Sequence, residues 1–402
     1  MAGYDQIPTS ATLKPTPFKA HVDEKQLSDM KQLLALSPIG PAVFENTSQN
    51  QGETLMSTPA RKYGMRRDWL ANAKEQWLRG FDWRTHEDEI NKIPNFMAKV
   101  TGDDGIEFDI HFLALFSEKK DAVPLAFYHG WPGSFLEFMK ILNILKERYS
   151  PKDLPYHVIV PSLPGYAFSS GPPVDVNYTI NQASNVLHHL MVGLGFKSGY
   201  VSQGGDLGSF IARDQAASYD ECKSMHLNMC GISATTKTDG LPMTKAEKAA
   251  TERGGEFMAQ GFAYAMEHGT RTGTIGLALS ASPLAMLSWI GEKFLEWSDE
   301  DPSVDEILQS VSLYWLTDTF PRCIYPYRGI ADGSRPPPPF IEKASGYSFF
   351  PKEIVPRARS VAEQTMNLVA FSAHERGGHF AALERPQDLL EDVEKWIALV
   401  WK

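Results

Sequence analysis

The stretch GYVSQGGDLGS, residues 199–209, decides the fold. A short apolar run that ends in glycines and continues into helical text predicts a strand turning sharply into a helix. The positions around the turn must be glycine because it is too tight for side chains, so Asp206 projects above the sheet. A carboxylate in that position can attack an sp³ carbon and form an ester. The plain alternative is a glycine-rich turn with a helix-capping Asp.

Short apolar runs alternate with helical segments on both sides of this turn. Runs such as LAFY at 125–128 and HVIVP at 157–161 are typical of buried parallel strands. The alternation stops near residue 230 and resumes at 346, and a helix over 386–400 closes the chain. We therefore predict an α/β fold in which a mostly parallel sheet, flanked by helices, is interrupted by a helical insertion.

This pattern predicts four segments along the chain. The first is an N-terminal meander, mostly helical, that packs on the core. Two core segments follow, separated by the inserted cap. Their expected bounds are 1–100 for the meander, 101–231 for the first core segment, 232–340 for the cap and 341–402 for the second core segment.

Composition narrows the classes of function. The 402 residues are 43% hydrophobic and 22% charged, as in folded soluble proteins. The formal net charge of −10 disfavours nucleic acid as a partner, since phosphates require a basic face. Three cysteines without a Cys-x-x-Cys pair favour a reducing compartment, so we expect a cytoplasmic protein. No run of about 18 apolar residues occurs, so we expect no transmembrane anchor.

The loop HGWPGS, residues 129–134, follows the LAFY strand. A loop in this place beside a nucleophile turn supplies a backbone N–H to an oxyanion hole, and we assign it to Trp131. The second donor is the residue after the nucleophile, which is Leu207. An ordinary turn remains the alternative, because Pro-Gly is typical of turns.

Two further motifs complete a catalytic set. RGGHF, residues 376–380, places His379 on a glycine-rich turn after the last strand. FFPKE, residues 349–353, places Glu353 after the strand before it. The order nucleophile, acid, histidine is that of a triad in which the acid orients the base and stabilises its cation.

Metal and dinucleotide motifs are absent from the sequence. His374-Glu375 is followed by His379 at the wrong spacing for a zinc helix, and two glycines break the helix. The glycines at 193, 195 and 199 miss the dinucleotide fingerprint and precede their strand. We therefore expect neither a metal nor a cofactor.

Taken together, the motifs resemble those of the microsomal-type epoxide hydrolases of the α/β-hydrolase superfamily, and most those of the soluble fungal members. The resemblance implies an α/β-hydrolase core with a helical cap, and hydrolysis of epoxides to vicinal diols in detoxification or aromatic-hydrocarbon catabolism. It runs from about Pro17 to the C-terminus and rests on Trp83-Arg84, HGWPGS, PSLPGYAFS at 161–169, GGDLG at 204–208, FFPKE and GGHFAALERP at 377–386.

The resemblance also implies two cap tyrosines that donate hydrogen bonds to the epoxide oxygen. Tyr264 in FAYAM matches the first, and Tyr327 in IYPYR matches the second. Tyr325 lies two residues away and keeps the second assignment open. Such donors are needed because the leaving alkoxide is very basic, and a phenol with a pKa of about 10 can share its proton.

Two other functions remain alternatives. A haloalkane dehalogenase would share Asp206 but would use indole donors for halide, and Leu207 stands where an aromatic donor would be useful. A catalytically inactive binding protein on the same fold would lose at least one of Asp206, Glu353 or His379, and all three are present. The expected partners are a small epoxide and water, and a homodimer is left open.

Overall fold

The structure is a computed structural model, and it describes residues 3–47, 61–232 and 236–402. The first residues of the predicted cap, 233–235, lie outside the described residues. So do residues 1–2 and 48–60 of the predicted N-terminal meander.

The described residues form one sheet of nine strands in the order β1-β2-β3-β5-β4-β6-β7-β8-β9. The neighbouring pairs β5–β4, β4–β6, β6–β7, β7–β8 and β8–β9 are parallel. The pairs β1–β2, β2–β3 and β3–β5 are antiparallel. The predicted mostly parallel α/β sheet is confirmed. The strands are Thr16–Phe18 (β1), Asn95–Thr101 (β2), Glu107–Leu115 (β3), Val123–Tyr128 (β4), Tyr156–Pro161 (β5), Tyr200–Gly204 (β6), Cys222–Leu227 (β7), Ile341–Phe349 (β8) and Met366–Ala373 (β9).

Strands β1 and β2 differ from the expectation of a mostly helical N-terminal region, because they extend the sheet itself. In β2 the buried Phe96, Ala98 and Val100 alternate with more exposed neighbours. Such alternation is typical of an antiparallel strand with one solvated face, whereas continuous apolar runs mark the buried parallel strands. The sequence expectation relied on continuous runs and therefore missed this strand.

Helices cover both faces of the sheet and build the N-terminal region. α7 (Asp206–Ser218) packs on β6 and β7, and α17 (Pro386–Val400) packs on β8 and β9. Outside the cap the helices are Glu24–Leu36 (α1), Phe44–Thr47 (α2), Arg67–Arg79 (α3), Trp83–Asn91 (α4), Met139–Arg148 (α5), Ile180–Met191 (α6), Asp206–Ser218 (α7), Arg359–Ala362 (α15), Ala381–Glu384 (α16) and Pro386–Val400 (α17).

The segment between β7 and β8 is helical, and none of its described residues belongs to a strand before β8 begins. Its longest helix, α11, begins with the cap residue Ser282, whose side chain accepts from the Ala285 N–H, and with Pro283 at the first helical position. The domain boundaries stay predictions. The cap helices are Lys245–Glu256 (α8), Ala263–Thr270 (α9), Thr272–Leu279 (α10), Pro283–Trp297 (α11), Val304–Leu316 (α12), Thr319–Cys323 (α13) and Tyr327–Ala331 (α14).

No single helix in the described ranges is long and apolar enough to cross a membrane. Helices α10 and α11 are long and apolar enough only when they are counted as one segment, and the axes of the two helices are bent by 116° at the break between them.

The turn from β6 into α7 works only with glycine on both sides. A Cβ on Gly204 would lie 2.2 Å from the Gly208 carbonyl oxygen. A Cβ on Gly208 would lie 2.0 Å from the carbonyl oxygen of Tyr128 at the end of β4. Both contacts are with backbone, so no side-chain rotation could relieve them. The absence of a Cβ lets α7 start directly against two strands and places Asp206 at the carboxyl edge of the sheet.

Gly208→Ala should destabilise the protein because the added methyl group meets backbone that cannot move. Overpacking of this kind costs about 1–3 kcal/mol, measured as a lower midpoint of urea unfolding. The matched control is Gly273→Ala in α10, where nothing lies within 4 Å of the added Cβ. Alanine is a better helix former than glycine, so the control should be neutral or slightly stabilising. Equal midpoints for the two variants would contradict the close approach at Gly208.

Candidate active site

Asp206 is the first residue of α7 and has a φ of +46°. This left-handed conformation is uncommon for a residue with a side chain and is typical of a nucleophile turn. Its Oδ1 accepts a hydrogen bond of 2.8 Å from the Trp131 N–H. The two loops can approach this closely because residue 130 is glycine, whose Cβ would lie 2.1 Å from Oδ1. The structure thus brings together Asp206 and the first predicted oxyanion donor.

Leu207, the second predicted donor, lies in the first turn of α7 and is buried. The first four N–H groups of a helix have no partner within the helix. The helix dipole places partial positive charge at the same end, where an oxyanion would be stabilised. The position of Leu207 is therefore compatible with the predicted role.

His379 and Glu353 form a buried pair next to Asp206. The Nδ1 of His379 lies 2.9 Å and 3.0 Å from the two carboxylate oxygens of Glu353. The Val355 N–H donates to the same carboxylate at 3.0 Å and holds it in place. On the other side of the ring, Nε2 lies 3.5 Å from Oδ2 of Asp206. The three predicted residues stand in the order carboxylate, imidazole, carboxylate.

The charges on both sides control the pKa of His379. Burial by itself lowers the pKa of this imidazole, since a charged ring loses its hydration. The charge of Glu353 and the hydrogen bonds to Asp206 and Glu353 outweigh burial and raise the pKa of His379 well above its usual value. The imidazolium is therefore the favoured form while both carboxylates are ionised.

The cap places Tyr264 and Tyr327 side by side above this site. Their ring centroids lie 5.7 Å apart, and both rings contact Trp131, at 5.1 Å and 6.1 Å. The ring of Tyr325 packs edge to face with that of Tyr178 instead, and the two ring centroids lie 5.5 Å apart. Among the described residues the buried hydroxyl of Tyr327 makes no hydrogen bond of ordinary geometry, but it interacts with the neighbouring phenol of Tyr264. The two hydroxyls can therefore act together on a bound molecule.

Burial and charge keep both phenols protonated. Burial is the main cause that raises the pKa of Tyr264 well above its usual value, and the Asp206 carboxylate adds to it. The same two causes, with the neighbouring phenol of Tyr264, raise the pKa of Tyr327. A protonated phenol can donate a hydrogen bond to an oxygen that develops negative charge.

A small cavity of about 10 Å³ lies between Asp206, His379 and a residue that sequence reasoning missed, Glu137. A volume of this size holds about one water molecule. Burial raises the pKa of Glu137 to about 8 and that of Glu384, also near His379, to about 7. No sequence motif marks Glu137, because only the short helical turn Phe135–Phe138 brings it back to the site.

Metal ligation has no visible basis in the residues that the structure describes, because no group of three or more His, Cys, Asp or Glu side chains could hold an ion. His374 belongs to the sequence that nearly matches a zinc motif. Its Nε2 lies 2.7 Å from Oδ2 of Asp392, and its ring stacks on Phe350.

These features define an α/β hydrolase whose nucleophile position holds aspartate. Comparisons with known proteins agree. Residues 15–138 match the family model described as the epoxide hydrolase N terminus, and residues 123–245 match the α/β hydrolase fold. A putative epoxide hydrolase of Dothistroma septosporum is 51% identical over 399 residues, which cover 99% of this chain and 93% of that protein.

A solved structure and a mammalian relative give the same result. The epoxide hydrolase of Aspergillus niger is 44% identical, covers 100% of both chains and superposes with a TM-score of 0.91. Epoxide hydrolase 1 of Sus scrofa is 28% identical over 424 aligned positions, 96% of this chain and 88% of that protein. The chain belongs to the epoxide hydrolase family, and the resemblance predicted from the motifs is confirmed.

Asp206→Asn should lower the pKa of His379. The Asp206 carboxylate favours the imidazolium, so a neutral amide in its place removes one cause of the raised pKa. Titration of the His379 ring resonances by NMR measures the shift. Asp29→Asn, which changes an exposed carboxylate on α1, is the control and should leave the titration unchanged. An unchanged or higher pKa in Asp206→Asn would mean that the carboxylate does not act on the base.

Proposed function

We propose that this member of the family hydrolyses epoxides to vicinal diols through an ester on Asp206. The observation that carries the proposal is that the two carboxylate oxygens of Asp206 have different partners. Oδ1 is held by the Trp131 N–H, whereas Oδ2 faces His379. Oδ2 keeps a lone pair with which it can attack a ring carbon, and Oδ1 becomes the carbonyl oxygen of the ester.

Ring opening is the first step. Oδ2 of Asp206 forms a bond to an epoxide carbon, and the carbon–oxygen bond of the ring breaks with its electron pair on oxygen. Tyr264 and Tyr327 donate hydrogen bonds to that oxygen, and one phenol gives up its proton. The ring contacts of both tyrosines with Trp131, the neighbour of the nucleophile, support this assignment. Tyr325 packs on Tyr178 instead and has no part in the step.

Ester hydrolysis is the second step. His379, oriented by Glu353, takes a proton from water in the cavity beside Asp206, and the hydroxide adds to the ester carbon. The N–H groups of Trp131 and Leu207 stabilise the oxyanion on Oδ1. Collapse breaks the bond from the Asp206 carbon to Oδ2. The diol leaves with that oxygen and takes the proton of His379, and the acid proton of Asp206 returns to the tyrosine.

Formation of the ester prepares the base. The Asp206 charge is one cause of the raised pKa of His379, and an ester carries no charge. The pKa of His379 therefore falls when the intermediate forms. The imidazolium releases its proton to solvent, the neutral imidazole activates water, and His379 takes up a proton from solvent again once Asp206 is ionised. Before alkylation the imidazolium cannot take a proton from water, so water activation follows ring opening.

The proposal also covers the substrates and the cellular compartment of the protein. The substrates are small epoxides, and water is the second reactant; removal of reactive epoxides, including those from aromatic hydrocarbons, fits this chemistry. The three cysteines Cys222, Cys230 and Cys323 are buried free thiols, which supports a reducing, cytoplasmic compartment.

His379→Gln should complete ring opening and stop at the ester, because alkylation needs only Asp206 and the tyrosines. Incubation with styrene oxide should give a protein whose intact mass rises by the mass of the epoxide. Asp206→Asn is the control and should form no adduct, because an amide is a poor nucleophile. If substrate binds to His379→Gln and no adduct forms, the covalent route is wrong.

Replacing either Tyr264 or Tyr327 by Phe should slow alkylation without abolishing it. A hydrogen bond to a charged group is worth about 1.5–3 kcal/mol, which is on the order of tenfold to a hundredfold in rate. The double variant should be slower by far more, because neither donor remains. Single-turnover kinetics measure the step.

Tyr325→Phe is the matched control, since the same hydroxyl is removed two residues from Tyr327. It should alkylate at the wild-type rate. A slow Tyr325→Phe beside a normal Tyr327→Phe would reverse the assignment of the second donor.

A further inference from the structure

The cap contacts the acid loop of the catalytic pair through one buried side chain. Arg253 lies on α8 and is only 5% exposed. Its Nη1 donates to two consecutive backbone carbonyls, those of Lys352 at 2.6 Å and Glu353 at 2.9 Å. A planar guanidinium that bonds to both carbonyls restricts the orientation of the peptide between them. The direction in which the Glu353 side chain leaves the backbone is restricted with it.

The same side chain reaches the part of the cap that contacts the His379 loop. Nη2 of Arg253 lies 3.5 Å from the carbonyl oxygen of Glu296, near the end of α11. The next carbonyl, that of Trp297, accepts the His379 N–H at 2.9 Å. The contacts therefore close a ring: Arg253 to the Glu353 backbone, Glu353 to His379, His379 to Trp297, and Glu296 back to Arg253.

The chemistry of this contact is unusual for a cross-link that only stabilises. A buried guanidinium loses its hydration, and well-packed apolar residues often serve stability as well as a buried charge does. The acceptors of Arg253 are neutral carbonyls, and its charge lies near the carboxylates of Glu353, Asp299 and Glu384. Such a group fixes the geometry of the acid loop through its two hydrogen bonds to consecutive carbonyls.

We propose that Arg253 is a positioning residue through which the cap holds Glu353 in register with His379, so that water activation depends on the docked cap. The inference rests on the proposed two-step function and deepens it. Ring opening does not use the Glu353–His379 pair, whereas ester hydrolysis does. A misplacement near the reacting groups of about 1 Å can cost about a hundredfold in rate. Loss of the Arg253 contacts should therefore slow the second half-reaction selectively.

Arg322 offers a matched control elsewhere in the cap. It lies on α13, and its guanidinium donates to the carbonyls of Ser169 at 3.1 Å and Ala167 at 3.2 Å. It is thus a second arginine that fastens the cap to backbone carbonyls of a core loop. That loop carries neither the acid nor the base.

The experiment compares Arg253→Met and Arg322→Met in the full chain. Rapid mixing with styrene oxide, followed by intact mass spectrometry, measures alkylation and ester decay separately. Arg253→Met should alkylate within about threefold of the wild-type rate, and its ester should decay about tenfold to a hundredfold more slowly. Arg322→Met should show no selective loss of ester decay. Normal alkylation also serves as the test that Arg253→Met is folded; if it is not, Arg253→Gln takes its place.

The pH dependence of ester decay distinguishes a positioning role of Arg253 from a merely structural role, because a structural role would not shift the pH profile. His379 faces Glu353, Asp206, Glu137 and Glu384. If Glu353 leaves its position, the imidazolium loses its main partner, so the limb of the profile set by His379 should move to lower pH. An unshifted limb would overturn the proposal.

Other outcomes are equally decisive. Unchanged ester decay in the Arg253 variant, or equal loss of both half-reactions in the Arg253 and Arg322 variants, also overturns the proposal. If the wild-type protein forms no ester at all, the proposed function fails instead, and the two failures are distinguishable.

Discussion

The position of the Asp206 carboxylate depends on one backbone conformation, the left-handed turn at the start of α7. Holding a non-glycine residue in a rarely populated backbone region costs about 1–3 kcal/mol, and the surrounding sheet must supply it. Gly204 and Gly208 make this feasible because the backbone of β4, β6 and α7 meets without intervening side chains. Gly130 completes the approach by letting the Trp131 N–H reach the carboxylate. The geometry of the oxyanion site therefore follows from three missing Cβ atoms.

The cap completes the site as well as covering it. The hydroxyl of Tyr314 on α12 donates to the Gly133 carbonyl at 2.9 Å and so fastens the loop that carries Trp131. The Trp297 carbonyl at the end of α11 holds the His379 backbone. The segments that carry Trp131, Asp206 and His379 all follow the carboxyl ends of parallel strands. Contacts from the cap supply the constraint that the sheet does not.

Sequence reasoning identified residues that the structure brings together where their position depends on local geometry. The tight turn at Asp206 and the glycine-rich loop at His379 each need residue types that are visible in a few consecutive letters. It did not find β2, whose alternating pattern is weaker than a continuous apolar run, or Glu137, which joins the site only through tertiary folding. Arg253 was beyond reach for the same reason. Its partners lie about a hundred residues away, and backbone carbonyls leave no trace in a sequence.

The electrostatics of the site explain why the base stands between two carboxylates. With Glu353 alone, the imidazole would have a single partner and a pKa set by burial and one charge. Asp206 adds a second charge, and in the proposed mechanism this charge disappears once the ester forms, so the affinity of His379 for a proton changes as the reaction proceeds. Glu353 stays beside Nδ1 of His379 throughout this mechanism and stabilises the imidazolium that water activation produces. In the proposed mechanism one carboxylate is therefore a permanent partner of His379, and the other is the nucleophile whose charge changes during the reaction.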